Sequence, residues 1–96
     1  MYLQQAGFQI VGRNVRVPGG EIDLVCRDGA TLVFVEVKAR WSGRFGSALS
    51  AVDGKKRRTL RRIAQDYAQI VAPNAQIRFD VIAMDGGRIA HHRNAF

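Results

Sequence analysis

Three side chains in the first half of the chain have the chemistry to act together on a phosphate: Asp23, Glu36 and Lys38. They fall in the stretch from Gly20 to Lys38, G-E-I-D-L-V-C-R-D-G-A-T-L-V-F-V-E-V-K, whose two runs of β-branched and aromatic residues read as strands. Asp28-Gly29-Ala30 joins them into a hairpin, with Gly29 at the first position of a two-residue type II′ loop. Asp28 then pairs with Thr31, and counting outward sets Asp23 across from Glu36 and Glu21 across from Lys38. Alternation puts Glu21, Asp23, Val25 and Arg27 on one face of the first strand and Ile22, Leu24 and Cys26 on the other. On the second strand Leu32, Phe34, Glu36 and Lys38 share a face, opposite Val33, Val35 and Val37.

Opposed carboxylates repel and weaken a sheet. A divalent cation reverses that penalty, because Mg²⁺ takes one or two carboxylates and completes its shell with water and phosphate oxygen. Mg²⁺ or Mn²⁺ at Asp23 and Glu36, with the Val37 carbonyl as a further oxygen ligand, would polarise a phosphoryl oxygen and activate water. Lys38 supplies a cation beside the developing charge. Glu21 and Glu36 are the only glutamates in the chain, and both lie in this hairpin. The plain alternative is a solvent-facing strand with a Glu21–Lys38 ion pair. Leu32 and Phe34 beside the acids argue instead for partial enclosure.

The charge distribution points to a partner. The chain has 96 residues and a net charge of +7. Between Lys38 and Arg62, nine basic residues (Lys38, Arg40, Arg44, Lys55, Lys56, Arg57, Arg58, Arg61 and Arg62) face a single acid, Asp53. Such a block is the footprint of a polyanion binder. A membrane surface fits less well, since the block lacks a broad apolar face flanked by anchoring aromatics. Nucleic acid is the expected partner, DNA ahead of RNA. No apolar run is long enough for a transmembrane helix, and Met1-Tyr2-Leu3-Gln4-Gln5 has neither the basic nor the apolar region of a secretory leader. Cys26, the single cysteine, excludes an internal disulfide and fits a reducing compartment, so a cytoplasmic protein is expected.

The elements that must position these groups follow in order. Residues 1–6 read as a helix closed by Gly7, and Phe8 to Val17 as a strand with a bulge at Gly12. Pro18-Gly19-Gly20 turns that strand into the hairpin. After Lys38, A-R-W-S-G-R-F-G-S-A reads as a loop. Its Trp41 and Phe45 either stack on bases between Arg40 and Arg44 or pack onto the domain or a second subunit. Leu60, Ile63, Ala64, Tyr67, Ala68 and Val71 recur at helical spacing, with Asp53 as N-cap and Pro73-Asn74 as the stop. Lys55 to Arg62 crowd that helix's N-terminal half, where the macrodipole is already positive and like charges at i,i+4 repel. A phosphate backbone turns both costs into attraction. A strand from Ala75 to Met84 follows, with Ile77, Phe79, Val81 and Ala83 on one face. Asp85-Gly86-Gly87 then leads into a short strand, Arg88 to His91. His91 and His92 point to opposite faces of a strand and cannot readily grip one ion, so they read as a frayed tail.

One domain with the order helix, three strands, helix, two strands results. Asp23, twelve residues, then Glu36-Val37-Lys38 resembles the D…(D/E)-x-K signature of the PD-(D/E)XK nuclease superfamily. The wider text is more specific: Asn14, G-E-I-D-L-V, L-V-F-V-E-V-K-A-R, Phe45-Gly46, Val52, Lys56 and Phe79-Asp80-Val81. Over nearly the whole chain it resembles the YraN-like family of small bacterial proteins. That resemblance implies an α/β (α+β) restriction-endonuclease-like αβββαβ core, a mixed sheet flanked by helices, similar to archaeal Holliday junction resolvases. It implies Asp23 and Glu36 as metal ligands, Lys38 as the residue orienting water or stabilising the transition state, and Lys56 as a phosphate contact. Glu21 belongs to the motif, helping the metal or pairing with Lys38. The family's first helix is longer and carries a glutamate, so the first helix is expected here in truncated form. The resolvase likeness suggests a homodimer by loose analogy. A phosphodiester-cleaving enzyme on DNA is one expectation; a non-catalytic nucleic-acid-binding module of the same fold is the other.

Overall fold

The computed structural model describes residues 2–39, 54–85 and 87–96. The expected N-cap Asp53, and the segment with Arg40, Trp41, Arg44 and Phe45, lie outside the described residues. A single helical turn opens the fold, α1 (Tyr2–Gln5), closed by Gly7 at φ 94°. The Phe8 amide reaches back to the Leu3 carbonyl and the Gly7 amide to that of Gln4, capping two carbonyls of the turn. Then come β1 (Gln9–Val17), β2 (Gly20–Asp28), β3 (Thr31–Ala39), α2 (Gly54–Val71), β4 (Gln76–Asp85) and β5 (Arg88–His92).

The five strands form one mixed sheet in chain order. β1, β2 and β3 are antiparallel neighbours, β3 and β4 run parallel, and β5 returns antiparallel to β4. A parallel neighbour cannot be reached by a tight turn, and α2 supplies the crossover. Val17 pairs with Gly20 across Pro18-Gly19, where proline presets the first turn residue and Gly19 adopts φ 96°. Asp28 pairs with Thr31 across Gly29, at φ 61°, as a type II′ loop requires. The bulge expected at Gly12 is present: the β1–β2 register shifts between Ile10 and Gly12.

Each face of the sheet carries its own core. On the α2 side Ile22, Val25, Leu32, Phe34, Phe79 and Val81 pack against Leu60, Ile63, Ala64 and Ala68. On the other side Leu3 and Phe8 cover Leu24, Cys26, Val33, Val35 and Ile82. Each such side chain withdrawn from water contributes roughly 1.5–3 kcal/mol before the entropy of ordering is counted. Val71, expected on the helix stripe, is 43% exposed, so that stripe ends at Ala68.

One expected face assignment is corrected. Ile22 does not lie with Leu24 and Cys26; it packs under α2 with Val25. The reason is local. Arg13 pairs with Leu24 and Val15 with Ile22, leaving Asn14 and Asp23 opposite one another between them. Asn14 takes φ 49°, a left-handed conformation that asparagine tolerates better than most residues. β2 turns over at that point, so residues 22 and 24 face opposite ways.

Candidate functional site

β2 and β3 run side by side from their turn as far as Leu24 and Val35. Beyond that pair Asp23 uses the gap itself: its Oδ2 accepts the Val37 amide at 2.9 Å. Asp23 and Glu36 are the first residues beyond the last paired positions, with the Asp23 carboxylate inserted where the next backbone bond would form. In an extended strand a residue's C=O points to the same side as its N–H. The Val37 carbonyl thus faces the same gap.

Glu36 lies on the α2 side of β3 beside Phe34 and is 8% exposed. A carboxylate that buried must be paired, and two ammonium groups meet on its Oε1. Lys56 Nζ, from the start of α2, donates at 2.5 Å. Lys38 Nζ, two residues along β3, lies at 3.3 Å. These contacts set the electrostatics. Burial raises the Asp23 pKa, and the Glu36 charge adds to that, against the Val37 amide and the two lysines. Lys38 is lowered, first by Lys56 beside it and then by burial, with Glu36 opposing. For Lys56, burial works downward, but its bonds to Glu36 and Lys38 outweigh it and the pKa rises. The acid pair and the lysine pair each hold one member in a strained ionisation.

Asp23 in the gap and Glu36 on the α2 face beside it are near enough for their charges to interact, and with the Val37 carbonyl they are hard oxygen donors of the kind Mg²⁺ or Mn²⁺ takes, ions that leave several positions to water and phosphate. The convergence of two ammoniums on Glu36 Oε1 shows that positive charge is already favoured there. Among the described residues no group of three or more His, Cys, Asp or Glu is placed to hold an ion. Any donor set at this point is limited to the two acids and the Val37 carbonyl. On the far side of Asp23 an open pocket of about 320 Å³ is lined by Arg13, Asn14, Asp23, Leu24 and Val37.

Other residues singled out from the sequence sit differently. Glu21 does not pair with Lys38; it pairs with Arg16, its neighbour on β1, at 3.6 Å in an exposed position. The basic block on α2 divides. Lys55, Arg58, Arg61 and Arg62 are exposed, whereas Lys56 turns in to Glu36. The guanidiniums of Arg57 and Arg61 lie 5.4 and 6.0 Å from the centre of the Phe96 ring, so part of their i,i+4 repulsion is offset by an aromatic face. That ring in turn stacks on Phe79 at 4.9 Å. Arg62 covers the Gly19 turn so closely that an added Cβ there would meet its guanidinium at 2.6 Å.

The expected frayed tail is also corrected. His91 belongs to a buried network that the sequence reading missed. Asp80, fully buried on β4, accepts Arg78 Nε at 2.8 Å and Nη2 at 3.0 Å, bonds His91 Nε2 at 2.7 Å, and accepts the Asn94 amide at 3.1 Å. Arg78 also reaches Asp28 at 2.9 Å, and the Tyr2 hydroxyl meets His91 Nδ1 at 3.1 Å. The one available signal was an acid inside an otherwise apolar strand, Phe79-Asp80-Val81-Ile82.

Sheet order and site together define an α+β protein with a mixed five-stranded sheet and two helices, consistent with a restriction-endonuclease-like αβββαβ core. The chain belongs to the uncharacterised protein family UPF0102, whose sequence pattern matches residues 1–84. It is 50% identical over 95 residues to a UPF0102 protein of Shewanella loihica, spanning 99% of this chain and 83% of that one. A UPF0102 protein of Ralstonia pickettii is 51% identical over 100 residues, spanning 99% and 80%. Another, from Burkholderia thailandensis, is 47% identical over 96 residues, spanning 99% and 67%. The family resemblance read from the motifs is borne out. No helix among the described residues is long and apolar enough to cross a membrane.

Proposed function

We propose that this protein is a metal-dependent phosphodiester hydrolase acting on DNA in the cytoplasm. The observation that carries the reading is the meeting of Asp23, Glu36, Lys38 and Lys56 where β2 and β3 part, at the foot of a basic helix. Asp23, Glu36 and the Val37 carbonyl would hold Mg²⁺ or Mn²⁺. Once bound, such an ion polarises the phosphoryl oxygens and lowers the pKa of an attacking water. Lys38, fixed on the same strand as Glu36, orients that water or steadies charge on the phosphoryl oxygens. The exposed Lys55, Arg58, Arg61 and Arg62 hold the flanking backbone and steer encounter. The burial of Glu36 beside Phe34 strengthens each of these electrostatic effects relative to water.

A second reading has one observation in its favour. Glu36 already has two lysines on one oxygen, and a site satisfied by its own cations serves a non-catalytic nucleic-acid-binding module equally well. The two readings separate on incubation with Mg²⁺ or Mn²⁺ and a panel of linear, flapped and four-way DNA. Cleavage that drops by about 10²–10³ or more in Asp23→Ala and Lys38→Ala, with DNA binding retained, supports the hydrolase. Cleavage of no substrate in the panel overturns it and leaves the binding module.

A further inference from the structure

The site contains two carboxylates, Asp23 and Glu36, and two ammoniums, Lys38 and Lys56, which balance each other. A divalent ion between the acids leaves the cluster with an excess of two positive charges. At such short range that excess is unfavourable, and withdrawing one ammonium from Glu36 relieves it. Lys38 is poorly placed to do so. It lies two residues from Glu36 on the same face of a strand paired with β4, and its side chain is 23% exposed. Lys56 sits in the first turn of α2, and its side chain is 38% exposed. It comes from a different element, so it can turn away without disturbing β3, and the residues beside it in sequence, Lys55 and Arg57, are basic.

We propose that Lys56 is a placeholder for the divalent cation at Glu36 Oε1, and that it turns to a nucleic-acid phosphate when the cation takes that oxygen. This rests on the metal-site reading above and gives it a regulatory consequence. Without the ion, Lys56 ties the start of α2 to β3 and is withheld from the nucleic acid. With the ion, Lys56 joins the basic face of the helix. Cation binding and DNA binding are then positively coupled through one side chain, and by linkage the coupling runs equally in both directions.

The experiment is Mn²⁺ titration calorimetry on wild type, Lys56→Met and Asp23→Asn without nucleic acid, followed by anisotropy of a labelled DNA duplex with and without Ca²⁺. Loss of a competing charge-assisted hydrogen bond should tighten Mn²⁺ binding about tenfold in Lys56→Met. Because the competition is a direct contact, most of that gain should persist at about 0.5 M NaCl, where long-range repulsion is screened. Ca²⁺ should raise the DNA affinity of wild type by more than that of Lys56→Met, because the ion contacts phosphate in both proteins and only wild type also gains the released lysine. If Mn²⁺ binds wild type, is lost in Asp23→Asn and is unaltered in Lys56→Met, the placeholder is overturned while the metal site stands. A Lys56→Met gain that vanishes in high salt overturns it too, as mere electrostatic background. If Mn²⁺ binds neither wild type nor Lys56→Met, the metal site fails, and the placeholder with it. Thermal melting of each variant confirms that the folded protein is being compared.

Discussion

Two buried acids on neighbouring strands, Asp80 on β4 and Glu36 on β3, are treated in opposite ways. Asp80 is surrounded by fixed donors: a bidentate guanidinium from its own strand, the Nε2 side of His91 on β5 and the Asn94 amide. Burial alone would raise its pKa, but Arg78, Asn94 and His91 together pull it below the usual carboxylate value. Glu36 is held by ammoniums on long flexible stems, at a point where the sheet has opened and a second acid stands opposite. A carboxylate saturated by rigid partners has nothing left for a ligand. One held by movable partners, next to an acid whose pKa is raised, is poised to exchange them. Strained ionisation is where function is expected, because folding alone gives no reason to keep it.

The largest test of that contrast is Asp80→Ala. It leaves the buried His91 Nε2 without its partner and Arg78 with Asp28 alone, and breaking a buried pair costs about 3–5 kcal/mol. Urea unfolding should show a loss of that size. A loss under about 1 kcal/mol would mean the network is decorative. Glu36→Gln should cost far less. It forfeits two lysine contacts, one to a side chain more than a third exposed, so about 1 kcal/mol or less is expected from the same urea measurement. If Glu36→Gln proves as damaging as Asp80→Ala, both acids are structural and the contrast falls.

Much of this was legible before any coordinates. Strand alternation from Leu32 to Lys38, the turn glycines Gly19 and Gly29, and the stripe Leu60, Ile63, Ala64 and Ala68 each record a local requirement of backbone or burial. The same alternation, followed to its polar end, locates Glu36 and Lys38 on one face. What the sequence hid is what depends on distant segments meeting. Lys56 read as one cation in a basic run, because its contact with Glu36 forms only when α2 folds back over β3. Asp80 and His91 meet only through the β4–β5 pairing, and Phe96 finds Phe79 only because that hairpin returns. The misassigned face of Ile22 has a different origin: one left-handed residue, Asn14, on the neighbouring strand interrupts an alternation that the sequence of β2 itself shows as regular.

The pH dependence is the most diagnostic effect, because its sign differs between the two acids. Asp80 has a folded-state pKa below its unfolded value of about 3.9, so its charge adds stability above that value and the contribution is lost as pH falls through the folded pKa. Asp23 has a folded-state pKa above the unfolded value, so its charge opposes folding at neutral pH, and the penalty is relieved as pH falls through the raised value. At pH 7 Asp80→Asn should therefore destabilise. Asp23→Asn, which keeps an oxygen to accept the Val37 amide, should stabilise by about 0.5–2 kcal/mol, as removal of a functional-site conflict commonly does. On acidification the two differences from wild type should shrink toward zero from opposite sides. That of Asp23→Asn fades first, between its raised folded pKa and about 3.9; that of Asp80→Asn fades only below about 3.9. Urea midpoints for the three proteins from pH 7 to pH 3 measure both. If Asp23→Asn is destabilising at pH 7, the Asp23 carboxylate is a settled structural group, and the case for an exchangeable site between β2 and β3 is lost.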